Sequence, residues 1–314
     1  MNFLNFFWTS SLWKKARILP PFSFLGKIYW KFDTFCKTRA TNNKKKFLQR
    51  KSKYFCCAKN PYNFGKIFIS LTTYPTRIES AYFSILSILN QTVKSNKIIL
   101  TLIEDEFPNG EGEFPQKIQD LKEKGIEFLW AKENLRPHNK YFYSMQKYPD
   151  AIIITIDDDI LYPKDTIAKL VASYQKFPNA ISALHTDKFS IKNSQLDLYS
   201  KAIIGYKKDL FQPKLDLMAE GFAGVLYPPS ILPKETYNIQ LIKKCTPIAD
   251  DIWLKCIELK NNIPVVCADN NHRIIVQVDV QDTALFKKNN LMKFNDEQLL
   301  AAQDTLNIRL ENNE

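Results

Sequence analysis

Three consecutive acids, Asp157, Asp158 and Asp159, stand directly after a run of isoleucines in AIIITIDDDILYP (151–163). Carboxylates about 5 Å apart repel by roughly 3 kcal/mol per pair at an effective dielectric near 20. Such a cluster therefore needs a cation, a basic partner or full solvation. In an extended chain Asp157 and Asp159 point to one side and Asp158 to the other. The converging pair suits Mg²⁺ or Mn²⁺, and the plain alternative is an acidic loop closed by Pro163. A second acidic pair, Asp250 and Asp251, opens the segment IWLKCIEL far down the chain. Two acids at a helix start gain from the helix dipole, so capping alone accounts for them structurally.

A third candidate group is Thr72, Thr73, Tyr74 and Arg77 in SLTTYPTR. Pro75 keeps Tyr74 out of the helical region and so fixes a turn. Hydroxyls and a flat ring suit a nucleobase and ribose, and Arg77 at a helix start suits phosphate. Glu104-Asp105-Glu106 follows another apolar run, and Asp105 is the acid best suited to accept a hydrogen bond from a base or ribose. Lys140 either reaches a diphosphate held by the Asp cluster or lies on the surface. His138 and His185 have no partner visible in the sequence and read as structural. His272 is a further metal or phosphate ligand candidate. Neither GxGxxG nor GxxxxGK[ST] occurs, which removes the main support for dinucleotide and P-loop readings.

These residues fall at the ends of alternating strands and helices. Strands are predicted at 67–71, 97–103, 126–130, 152–156 and 180–184. Between them lie helices at 77–90, 116–124, 139–147 and 164–176. Alternation of this kind implies a layered α/β fold with a mostly parallel sheet. The strand before Asp157 is apolar on both faces and belongs in the middle of that sheet. Ligands of open α/β sheets bind where such strands end. Farther on, 199–206 reads as an antiparallel strand and GFAGVLYPP (221–229) as a glycine turn leading into another. A helix at 249–260, a strand at 263–267 and a helix at 296–306 complete the pattern.

The net charge of +11 sits almost wholly in residues 1–60, which hold one acid, Asp33, among many Lys and Arg. The charge therefore says little about the main domain's substrate. Phe3, Leu4, Phe7, Trp8 and Leu12 have helical spacing, and Trp13, Lys14, Lys15 and Arg17 follow them. This combination suits an anionic membrane surface, and packing back on the main domain is compatible with it. No transmembrane span and no secretory signal are predicted, and nucleic acid is not the expected partner. Six cysteines without CxxC or zinc spacing read as reduced thiols. The expected divisions are a basic aromatic arm (1–60), a catalytic domain (61–285) and a C-terminal helix (286–314).

The opening SLTTYPTR and the core KYF…YPDAIIITIDDDILYP, spanning roughly 66–276, resemble GT-A glycosyltransferases of the family 2 kind. The resemblance implies a GT-A, Rossmann-like sheet and a metal-dependent, inverting transfer from a nucleotide-sugar donor, UDP-sugar favoured. It implies that Asp157 and Asp159 lie on the metal motif, with Asp159 the more direct ligand of Mn²⁺ or Mg²⁺. Thr72, Tyr74, Arg77 and Asp105 then fall at the nucleoside. Gly221, Phe222, Ala223 and Gly224 fall at the donor-sugar and acceptor turn. Asp251 becomes the base that takes the acceptor's proton, with Asp250 its competitor, while Asp158 is left for ribose or Lys140. A glycan or lipid-linked glycan acceptor at the inner membrane face follows from the arm. A Mg²⁺-dependent haloacid dehalogenase-like phosphatase and a non-catalytic binding protein are the alternatives.

Overall fold

The computed structural model describes residues 24–192, 194–269, 274–277 and 292–309. In chain order the strands are β1 (Ile67–Thr72), β2 (Lys97–Ile103), β3 (Ile126–Ala131), β4 (Ile152–Thr155), β5 (Ile160–Leu161), β6 (Ile181–Ala183), β7 (Thr186–Lys188), β8 (Ile191–Lys192), β9 (Gln195–Leu196), β10 (Leu217–Ala219), β11 (Val225–Tyr227), β12 (Val265–Cys267) and β13 (Ile275–Val276). The helices longer than one turn are α1 (Phe24–Lys51), α2 (Ile78–Leu89), α3 (Asn139–Lys147), α4 (Thr166–Lys176), α5 (Ile239–Cys245), α6 (Asp250–Lys260) and α7 (Met292–Thr305).

The main sheet has seven strands in the order β12-β6-β11-β4-β1-β2-β3. The isoleucine-rich β4 is its middle strand, as its two apolar faces require. Ile153 faces a core with Phe68, Ile99, Tyr141, Met145 and Trp253. Ile152, Ile154 and Ile156 face the other core, with Ile69, Leu71, Leu86 and Leu170. Each such side chain contributes on the order of 1.5–3 kcal/mol by burial. β4 runs parallel to β1 but antiparallel to β11, so the sheet is mixed and mostly parallel. That antiparallel insertion brings the turn before β11 to the same edge at which β1 and β4 end.

After β4 the chain turns at Asp158-Asp159 and returns as β5, which pairs antiparallel with β13. The turn is held by side chains of α2. Ser80 and Ser84 hydroxyls donate to the Asp158 carbonyl at 2.7 and 2.9 Å. The Gln277 backbone N–H donates to the Asp159 carbonyl at 2.8 Å. Strict alternation of the three acids therefore does not hold, because the strand has ended before it reaches them.

The helix expected from Met1 to Leu12 lies outside the described residues. Farther along the N-terminal arm, α1 packs on α2 and β13, with Leu48 and Thr41 buried. Phe35 and Tyr54 remain 57% and 68% exposed, so the arm both packs on the domain and leaves aromatics outside it. No helix among the described residues is long and apolar enough to cross a membrane. The strand expected at 199–206 is not formed. Tyr199–Lys201 is a 3₁₀ turn, Gly205 takes φ +64°, and a single bridge joins Lys188 to Ile203. Ile203 and Ile204 are neighbours and both more than half exposed, so this stretch has no alternating face to bury. The helix α5 and the small ladder β7–β10 were not anticipated.

α6, which carries the second acidic pair, is fastened to β10 by Lys255. Its fully buried ammonium donates to the Leu217 carbonyl at 2.7 Å and pairs with buried Glu258 at 3.0 Å. Lys255→Met leaves Glu258 without its cation and should lower stability by about 3–5 kcal/mol in urea denaturation. Lys255→Met combined with Glu258→Leu should recover most of that loss.

Candidate active site

At the carboxyl edge of the sheet, β1 and β4 end beside each other and deliver Thr73 and the three acids to one place. Tyr74 is extended, and Pro75 opens a 3₁₀ turn, Pro75–Arg77, that runs into α2. Arg77 is thereby aimed across the edge. One guanidinium nitrogen donates to Asp158 Oδ1 at 2.8 Å, and the other to Asp159 Oδ2 at 3.2 Å. Thr73 Oγ1 donates to the other Asp158 oxygen at 2.7 Å. Asp158 is 5% exposed. Burial pushes its carboxyl up to about 7, with Asp159 and Asp157 adding to the shift and Arg77 and Thr73 opposing it. The middle acid is thus embraced by Arg77 and Thr73, whereas Lys140 pairs with its neighbour. Thr72 Oγ1 donates to the Thr101 carbonyl at 3.0 Å. Tyr74 lies under the Arg77 guanidinium, 5.6 Å from ring centroid to charge. Asp105 is exposed in the turn after β2, at the same edge but apart from the other acids.

The second acidic pair begins α6, yet neither side chain caps that helix. Both face Lys140, which α3 buries in the interior. Its ammonium lies 2.7 Å from Asp250 Oδ2, 3.2 Å from Asp157 Oδ1 and 3.9 Å from Asp251 Oδ1. Burial disfavours the Lys140 charge, but the three carboxylates override it and hold its pKa well above the ordinary value. Burial likewise opposes ionisation of Asp250, and Lys140 and His138 reverse that, so Asp250 stays below the carboxylate range. Asp251 is the opposite case. Burial first, and then the charge of Asp250, push it up to about 8 against the pull of Lys140. A quarter of the Asp251 side chain is nevertheless open, while Asp250 is almost closed off.

His138 supports this group from below. It is fully buried, with Nε2 donating to the Thr246 carbonyl at 2.6 Å and Nδ1 accepting from the Tyr141 hydroxyl at 3.0 Å. Burial lowers its pKa, so it is a neutral strut.

The turn Gly221, Phe222, Ala223 and Gly224 enters between the two motifs. The Gly221 N–H donates to Asp251 Oδ2 at 3.2 Å. A Cβ at Gly221 would lie 2.8 Å from Asp251 Oδ1 and against the Lys140 ammonium, so a larger residue would have to displace the tips of both side chains. Gly224 takes φ +104°, which turns the chain into β11. Tyr162 was not singled out in the sequence, although it ties this turn to the acidic loop. Its hydroxyl accepts from the Asp157 N–H at 2.9 Å and donates to the Phe222 carbonyl at 2.8 Å. No spacing rule links those three positions. Asp187 and Glu220, also absent from the sequence reading, lie near Asp251, and Glu220 directly precedes Gly221.

The structure thus gathers Thr73, Arg77, Asp158 and Asp159 into one group and Lys140, Asp157, Asp250, Asp251 and Gly221 into another. Thr72, Tyr74 and Asp105 flank them along the edge. His272 lies outside the described residues. Among the described residues no three acids, histidines or cysteines converge as a complete metal cage. Asp157 and Asp159 do offer hard carboxylate oxygens on one loop, a donor set that fits a cation completed by phosphate oxygens. Asp157 is the more accessible, with about a third of its side chain exposed.

A family model described as Glycosyl transferase family 2 matches residues 73–233. Among solved structures, S. aureus TarS 1-349 is similar at 11% identity, over 77% of this chain and 69% of that one, with a TM-score of 0.43. A UDP-glucose pyrophosphorylase from Acinetobacter baumannii is similar at 9% identity, over 78% and 99% of the two chains, with a TM-score of 0.42. The mannosyltransferase PcManGT from Pyrobaculum calidifontis, in complex with GDP-Man and Mn²⁺, is similar at 11% identity, over 74% and 64%, with a TM-score of 0.41. Likenesses at this level carry no argument about substrate. No curated protein matches the sequence.

The position of Lys140 makes a direct prediction. Lys140→Met removes the cation from buried Asp250 and should cost about 3–5 kcal/mol of stability, read from the denaturation midpoint. A change below about 1 kcal/mol, the range of an exposed ion pair, would contradict the buried bridge.

Proposed function

The chain belongs to glycosyl transferase family 2, and from its active-site geometry we propose a metal-dependent, inverting transfer from a nucleoside diphosphate sugar to a glycan hydroxyl. That membership supersedes the phosphatase and non-catalytic alternatives. A UDP-sugar is the favoured donor. The observation that carries the reading is the ammonium of Lys140 between the loop of Asp157 and the pair Asp250 and Asp251. One motif belongs to the departing diphosphate and the other to the incoming hydroxyl.

Asp159 and Asp157 would hold Mn²⁺ or Mg²⁺, which when bound neutralises charge on the leaving diphosphate. Arg77 orients Asp159 and shares the load of negative charge. Tyr74 and Arg77 offer a stacked face to the base, Thr72 and Thr73 line the ribose end, and Asp105 accepts from the base. Gly221, Phe222, Ala223 and Gly224 give the donor sugar a surface without bulk at its first position. Asp251 accepts the proton of the acceptor hydroxyl as that oxygen attacks the anomeric carbon. Its raised proton affinity makes it a stronger base than an ordinary carboxylate, and its open face gives the hydroxyl access. Asp250, neutralised by Lys140, fixes the electrostatics of the pair instead of taking the proton.

The exposed aromatics Phe35 and Phe47 of α1 and Tyr54 of the 3₁₀ turn that follows it stand among lysines and arginines. They support attachment to an anionic membrane at its cytoplasmic face. The acceptor class that follows is a lipid-linked oligosaccharide, lipopolysaccharide core or capsule precursor.

Asp159→Ala and Asp251→Ala should each reduce transfer at least about a hundredfold while leaving the unfolding transition cooperative. Mn²⁺-dependent thermal stabilisation by a UDP-sugar should disappear in the first variant and persist in the second. Because Asp251 must be ionised to act, kcat/KM should rise with pH through about 8. A profile flat from about pH 6 to about pH 9 would remove Asp251 from the role.

A further inference from the structure

Near Asp251 stands a second carboxyl pair, Asp187 and Glu220. β10 runs antiparallel to β7, with Met218 opposite Asp187 and Ala219 opposite Thr186. The next residue extends the ladder, since the Glu220 N–H donates to the His185 carbonyl at 3.0 Å. That register puts Glu220 opposite His185 and diagonal to Asp187 on one face of the ribbon. Asp187 is 1% exposed and accepts the Gly205 N–H on Oδ1 at 2.7 Å. Glu220 Oε1 is buried and receives no N–H or O–H from any described residue, and the register sets it on the same face of the ribbon as the Asp187 carboxyl.

We propose that Asp187 and Glu220 form a proton-sharing acid pair that pins the start of the Gly221 turn and thereby positions Asp251. The link is short, because Gly221 follows Glu220 directly and its N–H is the hydrogen-bond donor to Asp251. The pair rests on the proposed reaction for its consequence but not for its existence. The ionisable groups facing Glu220 are Asp187 from β7, Asp251 from α6, Lys140 from α3 and Tyr199 from its 3₁₀ turn. His185 lies beside Asp187 on the same ribbon, and Lys207 of the following loop lies near His185. Burial, followed by Asp251 and Asp187, holds the Glu220 proton well above the carboxylate range, with Lys140 a weaker opposing influence. The lock therefore holds while Glu220 keeps its proton and opens when Glu220 gives that proton up. Glu220 is a positioning residue in this scheme, acting through Gly221.

The sign of the pH effect is fixed by the raised proton affinity. Stability from the pair is complete below the unfolded-state value of about 4.3 and is lost as pH rises through the folded-state value. Glutamine at 220 donates an N–H to Asp187 at every pH and should not lose it. Thermal unfolding of the full chain should therefore show wild type falling relative to Glu220→Gln as pH rises, with Asp187→Asn behaving like Glu220→Gln. Glu220→Ala should lack the link throughout. Turnover is read as Mn²⁺-dependent release of sugar from UDP-glucose, UDP-galactose and UDP-N-acetylglucosamine. Glu220→Ala should lower kcat roughly tenfold, the scale of a misplaced catalytic group. Glu220→Gln should keep kcat at neutral pH, and wild-type kcat should fall relative to that of Glu220→Gln as pH rises and Glu220 ionises. Parallel unfolding curves for wild type and Glu220→Gln at all pH values would overturn the acid pair. Equal kcat and equal pH profiles in Glu220→Ala and wild type would overturn its bearing on Asp251. A wild type that turns over none of the three donors counts against the proposed reaction, and the unfolding series then decides the pair on its own.

Discussion

The rest of the site depends on one buried cation. Lys140 has lost its water, and an ammonium in that position is tolerable only because Asp157, Asp250 and Asp251 surround it. The same contacts join two acidic motifs that are distant in sequence. They also favour glycine at residue 221, since the Lys140 ammonium occupies the space a Cβ would need. Asymmetry within the second pair follows as well. Asp250 spends its charge on Lys140 and is closed off, so Asp251 is left as the acid with both an open face and an enhanced hold on a proton. Under the proposed reaction this asymmetry favours Asp251 over Asp250 as the base.

A second constraint fixes the first motif. The Asp158 carboxylate is consumed by Arg77 and Thr73, and its carbonyl by Ser80 and Ser84. All four partners come from the end of β1 and from α2, so the acidic loop is part of the β1–α2 unit as much as of β4. The middle acid is held inward, while Asp157 turns to Lys140 and Asp159 shares Arg77 with Asp158. Tyr162 then sets the distance from this loop to the Gly221 turn by bonding to both.

Much of the fold could be read from the sequence because it depends on local periodicity. The isoleucines of β4, the alternation of strands with helices and the pause at Pro75 are all contained in short windows. The placement of the acids at the sheet's carboxyl edge followed from that order. What could not be read depends on residues brought together by tertiary structure. Alternation sent Asp158 away from Asp157 and Asp159, but β5 pairs with β13 from far down the chain and bends the strand before the acids are reached. Lys140 left two readings open because burial on α3 depends on what covers it. The stretch 199–206 was misread as a strand because two adjacent isoleucines resemble a strand core, whereas Gly205 and the Asp187 carboxylate turn it into a loop. Glu220 carried no signal at all, since its partner lies across a ribbon of three-residue strands.

Charge balance finally ties these observations to the chemistry. Lys140 and Arg77 are set against Asp157, Asp158, Asp159, Asp250 and Asp251, with Asp187 and Glu220 close behind. Negative charge exceeds positive charge in a region of low solvent access, so some carboxyls must retain protons. Those that do so most readily are the ones not given a cation of their own, Asp251 and Glu220, together with Asp158, the most deeply placed of the three acids in the first loop. A nucleoside diphosphate would add still more negative charge to this edge. Lys140 and Arg77 are already engaged by carboxylates, and in the proposed reaction a divalent cation on the Asp157–Asp159 loop would let an anionic donor enter this anionic site. In the proposed reaction the metal is therefore demanded by binding before it is demanded by bond cleavage.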